Sequence, residues 1–398
     1  MSSDHWISCI YRIARRDWNC KSEGREVLTS FVELCVPCLF GLEGLVADEL
    51  RRMNMNDVRP ETGRVYFRGD WRDVARANIG LRTGERVLVT LGNFPAVSFD
   101  ALYEGAAALD WAAYIPKDGA FPIKGHALGP ALRSVPDAQR IIKKAAADQL
   151  GRVYGVERLP ETGVTYQVQF AIREDVCTIY LDTTGAGLYK RGYRPVAGVA
   201  PLRETLAAAM VNLSRYRGRD VLADPFCGSG TIAIEAALAA RNRAPGLNRK
   251  FAAETWLQIP SEVWDETREA ARAKEFNGDY TILARDIDPD CIALARENAR
   301  RAGVETDIHF EVADARKFET TAPKGVIVTN PPYGERVLEK SEADAIARAF
   351  GRAVKGLQGW QLYILSAHAD FEQAFGRTAD KKRKLYNGMM KCNLFMYK

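Results

Sequence analysis

Gly325-Val326-Ile327-Val328-Thr329 runs straight into Asn330-Pro331-Pro332-Tyr333, and well upstream Val221-Leu222-Ala223 runs into Asp224-Pro225-Phe226-Cys227-Gly228-Ser229-Gly230-Thr231. Each apolar run is short and does not alternate with polar residues, as expected of a strand buried on both faces. The polar or glycine-rich cluster that follows then marks the strand's carboxyl end. Around these two runs, strands and helices alternate: Thr231 to Ala240 has helical spacing, Thr281 to Arg285 precedes a helix from Pro289 to Ala302 closed by Gly303, and Ile308 to Val312 follows. Ser341 to Gly351 is helical and Gln361 to Ser366 is again a strand. Such alternation predicts an α/β fold with a parallel sheet covered by helices on both faces. Arg383 to Tyr386 and Met389 to Met396 flank Asn387-Gly388, the strongest short signal for a two-residue hairpin, so the sheet is expected to finish antiparallel.

The first half has a different grain. A strand from Val32 to Leu39, a helix from Gly41 to Leu50, strands at Gly63 to Gly69 and Arg86 to Leu91, and a helix at Trp71 to Ile79 predict a small α+β unit with antiparallel character. Phe99 to Tyr114 has helical spacing, and Gly119 to His126 is a strand entering a loop. Asp137 to Gly151 is a helix carrying Arg140, Lys143 and Lys144, and Val164 to Phe170 and Val176 to Leu181 alternate as strands. The basic helix suits either a nucleic-acid platform or a solvated face. Gly185 to Pro201, rich in glycine and proline, is the best linker between the halves.

At 398 residues and 44.3 kDa the chain exceeds a single core, and 47% hydrophobic with 27% charged residues fits an ordinary globular protein of two or three domains. A net charge of +5 permits an acidic partner without requiring one. The eight cysteines are scattered, which suits a reducing cytoplasm better than a disulfide framework. Cys35 and Cys38 form a lone pair with no second pair near to complete a zinc site, so no metal is expected. No run of 18 apolar residues offers a membrane span, and the N-terminal stretch has neither the length nor the pattern of a secretory signal. Residues 1–31 are expected to be a disordered tail or extraneous upstream sequence.

A strand ending in Asp224 and followed by Gly228-Ser229-Gly230-Thr231 turns backbone N–H groups and a helix N-terminus toward a ligand at the sheet's carboxyl edge. The fingerprint G-x-G-x-x-G is absent, as is a phosphate-loop lysine, which disfavours dinucleotides and nucleotide hydrolysis. Asp286, in Asp286-Ile287-Asp288, is placed to accept from ribose hydroxyls, whereas Asp288 suits a helix cap before Pro289. Asp314, with Ala315 beside it, is placed to accept an adenine's amino group. A base's exocyclic amine is a poor nucleophile because its lone pair is delocalised. Asn330 Oδ1 and the Pro331 carbonyl can accept from its N–H groups, with Pro331 and Pro332 stiffening the segment, and turn the lone pair toward an activated methyl. Tyr333 can stack on a base that is flipped out or single-stranded.

These elements resemble a class I S-adenosylmethionine-dependent methyltransferase. More narrowly, Pro37-Cys38-Leu39-Phe40-Gly41-Leu42-Glu43-Gly44-Leu45, Phe121-Pro122-Ile123-Lys124-Gly125-His126, Leu188-Tyr189-Lys190-Arg191-Gly192-Tyr193-Arg194, Pro201-Leu202-Arg203-Glu204-Thr205-Leu206 and Asn330-Pro331-Pro332-Tyr333-Gly334-Glu335-Arg336 resemble the bacterial THUMP-domain RNA methyltransferases. The branch is that of the RlmL-like 23S rRNA guanine-N2-methyltransferases. The resemblance implies a ferredoxin-like part (32–74), a THUMP RNA-binding domain (75–184), a linker (185–200) and a Rossmann-like catalytic domain (201–398). It implies S-adenosylmethionine held by Asp224, Pro225, Phe226, Gly228, Gly230, Thr231, Asp286, Ile287, Asp314 and Ala315, and catalysis by Asn330, Pro331, Pro332 and Tyr333. Lys190, Arg191, Tyr193 and Arg194, with Lys381, Lys382, Arg383 and Lys384, would contact RNA, the partner being 23S rRNA or a ribosome assembly precursor. The insertion from Arg241 to Gly278, with Trp256 and Trp264, would border the substrate cleft. Two other readings stand beside this one: an N6-adenine methyltransferase of DNA or RNA, which would use the same Asn-Pro-Pro-Tyr chemistry, and a non-catalytic RNA-binding assembly factor. Guanine is chosen by the resemblance alone, since either purine presents an amine.

Overall fold

The structure, a computed structural model, describes residues 30–128, 131–194, 202–332, 340–388 and 390–398. It contains two seven-stranded sheets. The first comprises β1 (Val32–Pro37), β2 (Asn56–Glu61), β3 (Arg64–Gly69), β4 (Leu88–Pro95), β5 (Ile123–Leu128), β6 (Val168–Arg173) and β7 (Val176–Asp182), in the order β2-β3-β1-β4-β7-β6-β5. All neighbours are antiparallel except β5 and β6. β4 is the joint, pairing with β1 on one side and β7 on the other, so the two α+β stretches share one sheet. Leu34, Val36, Val65, Phe67, Val89, Phe170, Ile172 and Ile179 alternate onto one face of that sheet. There the helices Glu43–Arg52, Trp71–Gly80, Phe99–Ala107 and Val135–Tyr154 bury them. The sequence reading contained no β2. Its residues Asn56-Asp57-Val58-Arg59-Pro60-Glu61 are largely exposed, and proline is tolerated there because the strand lies at an edge.

The second sheet comprises β8 (Val221–Asp224), β9 (Ile282–Asp286), β10 (Ile308–Val312), β11 (Gly325–Thr329), β12 (Trp360–Ser366), β13 (Lys381–Asn387) and β14 (Met390–Tyr397), in the order β10-β9-β8-β11-β12-β14-β13. β10 through β12 are parallel, while β14 and β13 form an antiparallel hairpin with β14 antiparallel to β12. From β8 the chain moves outward to β9 and β10, then returns to place β11 on the other flank of β8. The order therefore reverses between β8 and β11, the position at which sheets of this kind leave a crevice at the strands' carboxyl ends. Helix Pro289–Ala302 starts and stops as its sequence demands: Asp288 Oδ1 accepts from Asp290 N at 2.9 Å, and Gly303 ends it at φ 72°. The hairpin turns one residue later than expected. Asn387 pairs with Met390 inside the ladder, and Gly388, not Asn387, takes the positive φ of 64°.

The insertion after helix Thr231–Ala240 corrects an expectation. Leu247, Phe251, Trp256, Ile259, Val263 and Trp264 join the core of the first sheet, so neither tryptophan borders a cleft. Trp256 stacks on Tyr166 with ring centroids 4.8 Å apart and donates from Nε1 to the Thr165 carbonyl at 3.1 Å; Trp264 stacks on Phe251 at 5.5 Å. At Gly246 the contact is backbone to backbone, since a Cβ there would lie 2.6 Å from Ile79 Cα. The expected linker is also packed over its described part, with Leu188, Arg191 and Tyr193 all buried. The insertion is thus a clasp that ties the second domain to the first. Replacing Trp264, 1% exposed, by alanine should cost about 3–5 kcal/mol in urea unfolding. A loss below ~1 kcal/mol would return this side chain to the solvent-facing cleft.

Candidate active site

Asp224 closes β8 and Asn330 directly follows β11, so the register of these neighbouring parallel strands brings the two side chains to the crevice. Asp224 is wholly buried. Its Oδ1 accepts from Thr329 Oγ1 at 2.7 Å and from Phe226 N at 3.3 Å. Its Oδ2 has no hydrogen-bond partner among the described residues, and neither has the buried Oδ1 of Asn330. Two acceptor oxygens are thus held out of water without donors, which is costly unless a ligand supplies them. Burial pushes the Asp224 carboxyl up to about 7, against the stabilising bond from Thr329. Pro331 is buried and Pro332 half-buried; Tyr333, the fourth residue of the expected tetrad, lies outside the described residues.

The glycine loop takes the shape its composition allows. Gly228 has φ 50° with open space where a Cβ would stand, and Gly230 has φ 81° with a Cβ position 2.9 Å from Ala295 Cβ. Glycine at 230 therefore lets helix Thr231–Ala240 start against helix Pro289–Ala302, while glycine at 228 leaves a concavity beside the strand ends. Asp286, at the end of β9, ties loops together: Oδ2 accepts from Gly228 N at 2.9 Å and Oδ1 from Asp288 N at 3.1 Å. Ile287 is 60% exposed beside it. Pro225 is buried, and half-buried Phe226 packs edge-on to Phe350 at 5.2 Å. Ala315 is buried, but Asp314 is engaged in place: it caps Arg316 N at 2.9 Å and pairs with that guanidinium, which holds its carboxyl below the usual range. An adenine contact at Asp314 would share that carboxylate with Arg316.

Three contributors escaped the sequence reading. Thr329 orients Asp224, and Asn298, fully buried, donates from Nδ2 to the Ser229 carbonyl at 3.0 Å, fixing the glycine loop from behind. Asn298 did leave a signal, as a polar residue on the apolar stripe of its helix. Glu235 left none.

Around Glu235 the RNA expectations change. Arg191 is 3% exposed, 3.4 Å from Glu235, and donates to the carbonyls of Leu188 (2.8 Å) and Arg82; Tyr193 donates its hydroxyl to Glu235 at 3.1 Å. Neither is available to a phosphate, because both are consumed in sealing the two domains together. Arg194 is similarly spent, lying 3.0 Å from Glu204 and donating to Thr231 Oγ1 at 3.0 Å. Lys190 is exposed, as are Lys381, Lys382 and Lys384; Lys382 pairs with Glu372 at 2.7 Å, and Arg383 donates to the Gly41 carbonyl at 2.5 Å. Among the described residues no group of three His, Cys, Asp or Glu side chains could hold a metal ion, and no helix is long and apolar enough to cross a membrane.

Comparison with known proteins gives the family. The description "RMKL-like, methyltransferase domain" matches residues 191–395, "RlmL ferredoxin-like domain" residues 33–88 and "THUMP domain" residues 96–182. The Bacillus subtilis protein named "Putative RNA methyltransferase YpsC" is 42% identical over 360 residues, covering 90% of this chain and 93% of that one. The Shewanella baltica protein named "Ribosomal RNA large subunit methyltransferase K/L" is 34% identical over 366 residues, 90% of this chain but 52% of its own length. The chain thus spans about half the length of its K/L relatives. The solved structure of SMU.472, described as "a putative methyltransferase complexed with SAH", superposes with a TM-score of 0.88 at 36% identity, covering 92% of this chain and 98% of that one. With a parallel sheet reversing at Asp224 and Asn330 and a glycine loop shaped to receive a ligand, the chain belongs to the RMKL-like family of methyltransferases, whose cofactor is S-adenosylmethionine.

Proposed function

We propose that this chain methylates the exocyclic N2 amine of a guanine in 23S ribosomal RNA. The observation that carries the reading is the pair of buried, donorless oxygens at the β8–β11 crevice, Asp224 Oδ2 and Asn330 Oδ1. One fits the cofactor's ammonium and the other a base amine. The THUMP match and the ribosomal-RNA naming of the K/L relatives favour RNA over DNA, and guanine follows from the branch whose motifs the sequence resembles.

S-adenosylmethionine supplies an electrophilic methyl on a sulfonium, so the protein's task is to position a weak nucleophile against it. Asn330 Oδ1, with no other bond to satisfy, accepts from the amine and rotates its lone pair out of conjugation. The Pro331 carbonyl would accept the second N–H, and the two prolines remove backbone freedom that would blur that geometry. Asp224 would hold the cofactor's amino group through Oδ2 while Thr329 keeps the carboxylate oriented. Gly228, Gly230 and Asp286 would line the rest of the cofactor's path, and Lys190, Lys381 and Lys384 would meet RNA phosphates.

Asn330→Ala should lower methyl transfer by ~100-fold or more while leaving cofactor affinity by calorimetry nearly unchanged. Equal turnover in the variant would remove Asn330 from the chemistry. A second expectation concerns pH. With its carboxyl raised to about 7, Asp224 must release a proton below that pH before it can face an ammonium. Cofactor affinity should therefore strengthen by close to tenfold per unit as pH rises toward 7 and level off above it, and Asp224→Asn should bind weakly with a flat profile. The same raised value means that ionising Asp224 opposes folding of the ligand-free protein. That stability contribution is fully present below the unfolded value of about 3.9 and is lost as pH rises through about 7. Nucleoside mass spectrometry of a deletion strain tests the substrate: one N2-methylguanosine should disappear from 23S rRNA. Intact rRNA modification with loss of genomic N6-methyladenine would transfer the assignment to DNA.

A further inference from the structure

Asn330 leaves β11 between two neighbouring strand ends, and its two flanks are held differently. Toward β8 the segment is tied by the bond from Thr329 to Asp224. Toward β12 the last ladder pair is Thr329 with Ile364, and continuing that register by two residues sets Pro331 level with Ser366. Pro331 and Pro332 have no N–H to give to β12, so they cannot extend the ladder as donors. On this flank side chains take over.

β12 leaves the sheet through Ser366-Ala367-His368-Ala369-Asp370, with Ser366 1% exposed. His368 N donates to Ser366 Oγ at 3.1 Å and Asp370 N to His368 Nδ1 at 3.0 Å, two consecutive turns closed by side chains. Because Nδ1 accepts, the ring proton belongs on Nε2, which donates to Asp344 Oδ1 at 2.5 Å. The imidazole is 6% exposed, and a hydrogen bond to a carboxylate that is shielded from water holds its geometry firmly. Asp344 lies near the start of helix Lys340–Val354, by which the chain returns after the Asn-Pro-Pro-Tyr motif. The same helix reaches the opposite flank of the crevice. Its Phe350 packs edge-on against Phe226, two residues past Asp224, and shares a core with Ala223, Ala315 and Ile327. The helix is thus braced against the β8 side by packing and against the β12 side by His368.

We propose that His368 and Asp344 are positioning residues for the methyl transfer. Their hydrogen bond joins the strand end beside Pro331 to the helix that follows the motif, and so holds Asn330 Oδ1 and the Pro331 carbonyl at the spacing an amine requires. Neither side chain touches the reacting atoms; both act through the segments they join. The inference rests on the chemistry proposed above for Asn330 and is independent of which base carries the amine. A weak nucleophile needs such bracing, because a displacement of about 1 Å at the reacting centre can cost on the order of 100-fold in rate.

Two conservative variants separate the two bonds of the ring. In His368→Gln the amide nitrogen takes the place of Nε2 and can still donate to Asp344, whereas in His368→Asn the amide oxygen takes the place of Nδ1 and keeps only the bond from Asp370 N. The measurement is single-turnover methyl transfer by the full chain, saturated with S-adenosylmethionine, to ribosomal RNA from a deletion strain, alongside cofactor affinity by calorimetry and Tm. His368→Asn and Asp344→Ala should each slow transfer by about tenfold or more with cofactor affinity unchanged. The double variant His368→Asn/Asp344→Ala should be no slower than either alone, since all three lack the same bond, and His368→Gln should recover most of the rate. A lowered Tm with an unchanged rate would make the pair a structural tie and overturn the inference. A loss in His368→Gln as large as in His368→Asn would overturn it too, as would losses that add in the double variant. Wild-type protein that methylates genomic DNA and not ribosomal RNA overturns the substrate reading alone, and the variants are then ranked on DNA by the same criteria. Transfer to neither overturns both.

Discussion

The hydrogen bond from Thr329 to Asp224 joins the ends of β8 and β11, and the crevice depends on it. It satisfies one carboxylate oxygen and leaves the other bare, in a place that the sheet's reversal of order has already opened. Because Asn330 is the next residue after Thr329, the same strand end that orients the acid also delivers the amide. Burial then makes the acid reluctant to ionise, so in the proposed function cofactor capture and the charge state of Asp224 would be one event. Asp286 and Asn298 extend this logic outward, each holding the glycine loop through backbone groups so that its open side faces the crevice.

The two domains are not beads on a string. Glu235, on the helix that the glycine loop starts, receives Arg191 and Tyr193, and Arg191 in turn reaches carbonyls of the first domain at Leu81 and Arg82. Glu85 accepts from Thr205 at 2.6 Å and Arg203 at 3.1 Å across the same boundary. The insertion closes the clasp with tryptophans buried among the first domain's helices. Under the proposed function, an RNA bound to the first domain would thereby be held in fixed relation to the β8–β11 crevice, which is how a remote contact can be turned into orientation at a reacting amine.

Much of the second domain was legible because its strands are continuous apolar runs and its helices carry their own caps. β10 and β11 and the helices Thr231–Ala240 and Pro289–Ala302 fall where the pattern places them. β2 was invisible, since an exposed edge strand containing a proline and three charged residues has no hydrophobic period to detect. The basic stretch Lys190 to Arg194 was misleading for the opposite reason. Its composition is that of a surface, and only the presence of Glu235 and Glu204 from another part of the chain turns its arginines and tyrosine inward.

The sequence by itself determined the strand ends that carry Asp224 and Asn330, the glycines that shape the loop between strand and helix, and the helix caps, because these are local: each is fixed by residues a few positions apart. Tertiary structure alone decided that both N-terminal stretches share one sheet, that the insertion's tryptophans are core and not cleft, and which cations are buried in ion pairs and which stay exposed. Those outcomes depend on which distant surfaces meet, and a charge or an aromatic ring has the same local signature whether it is solvated, paired or packed.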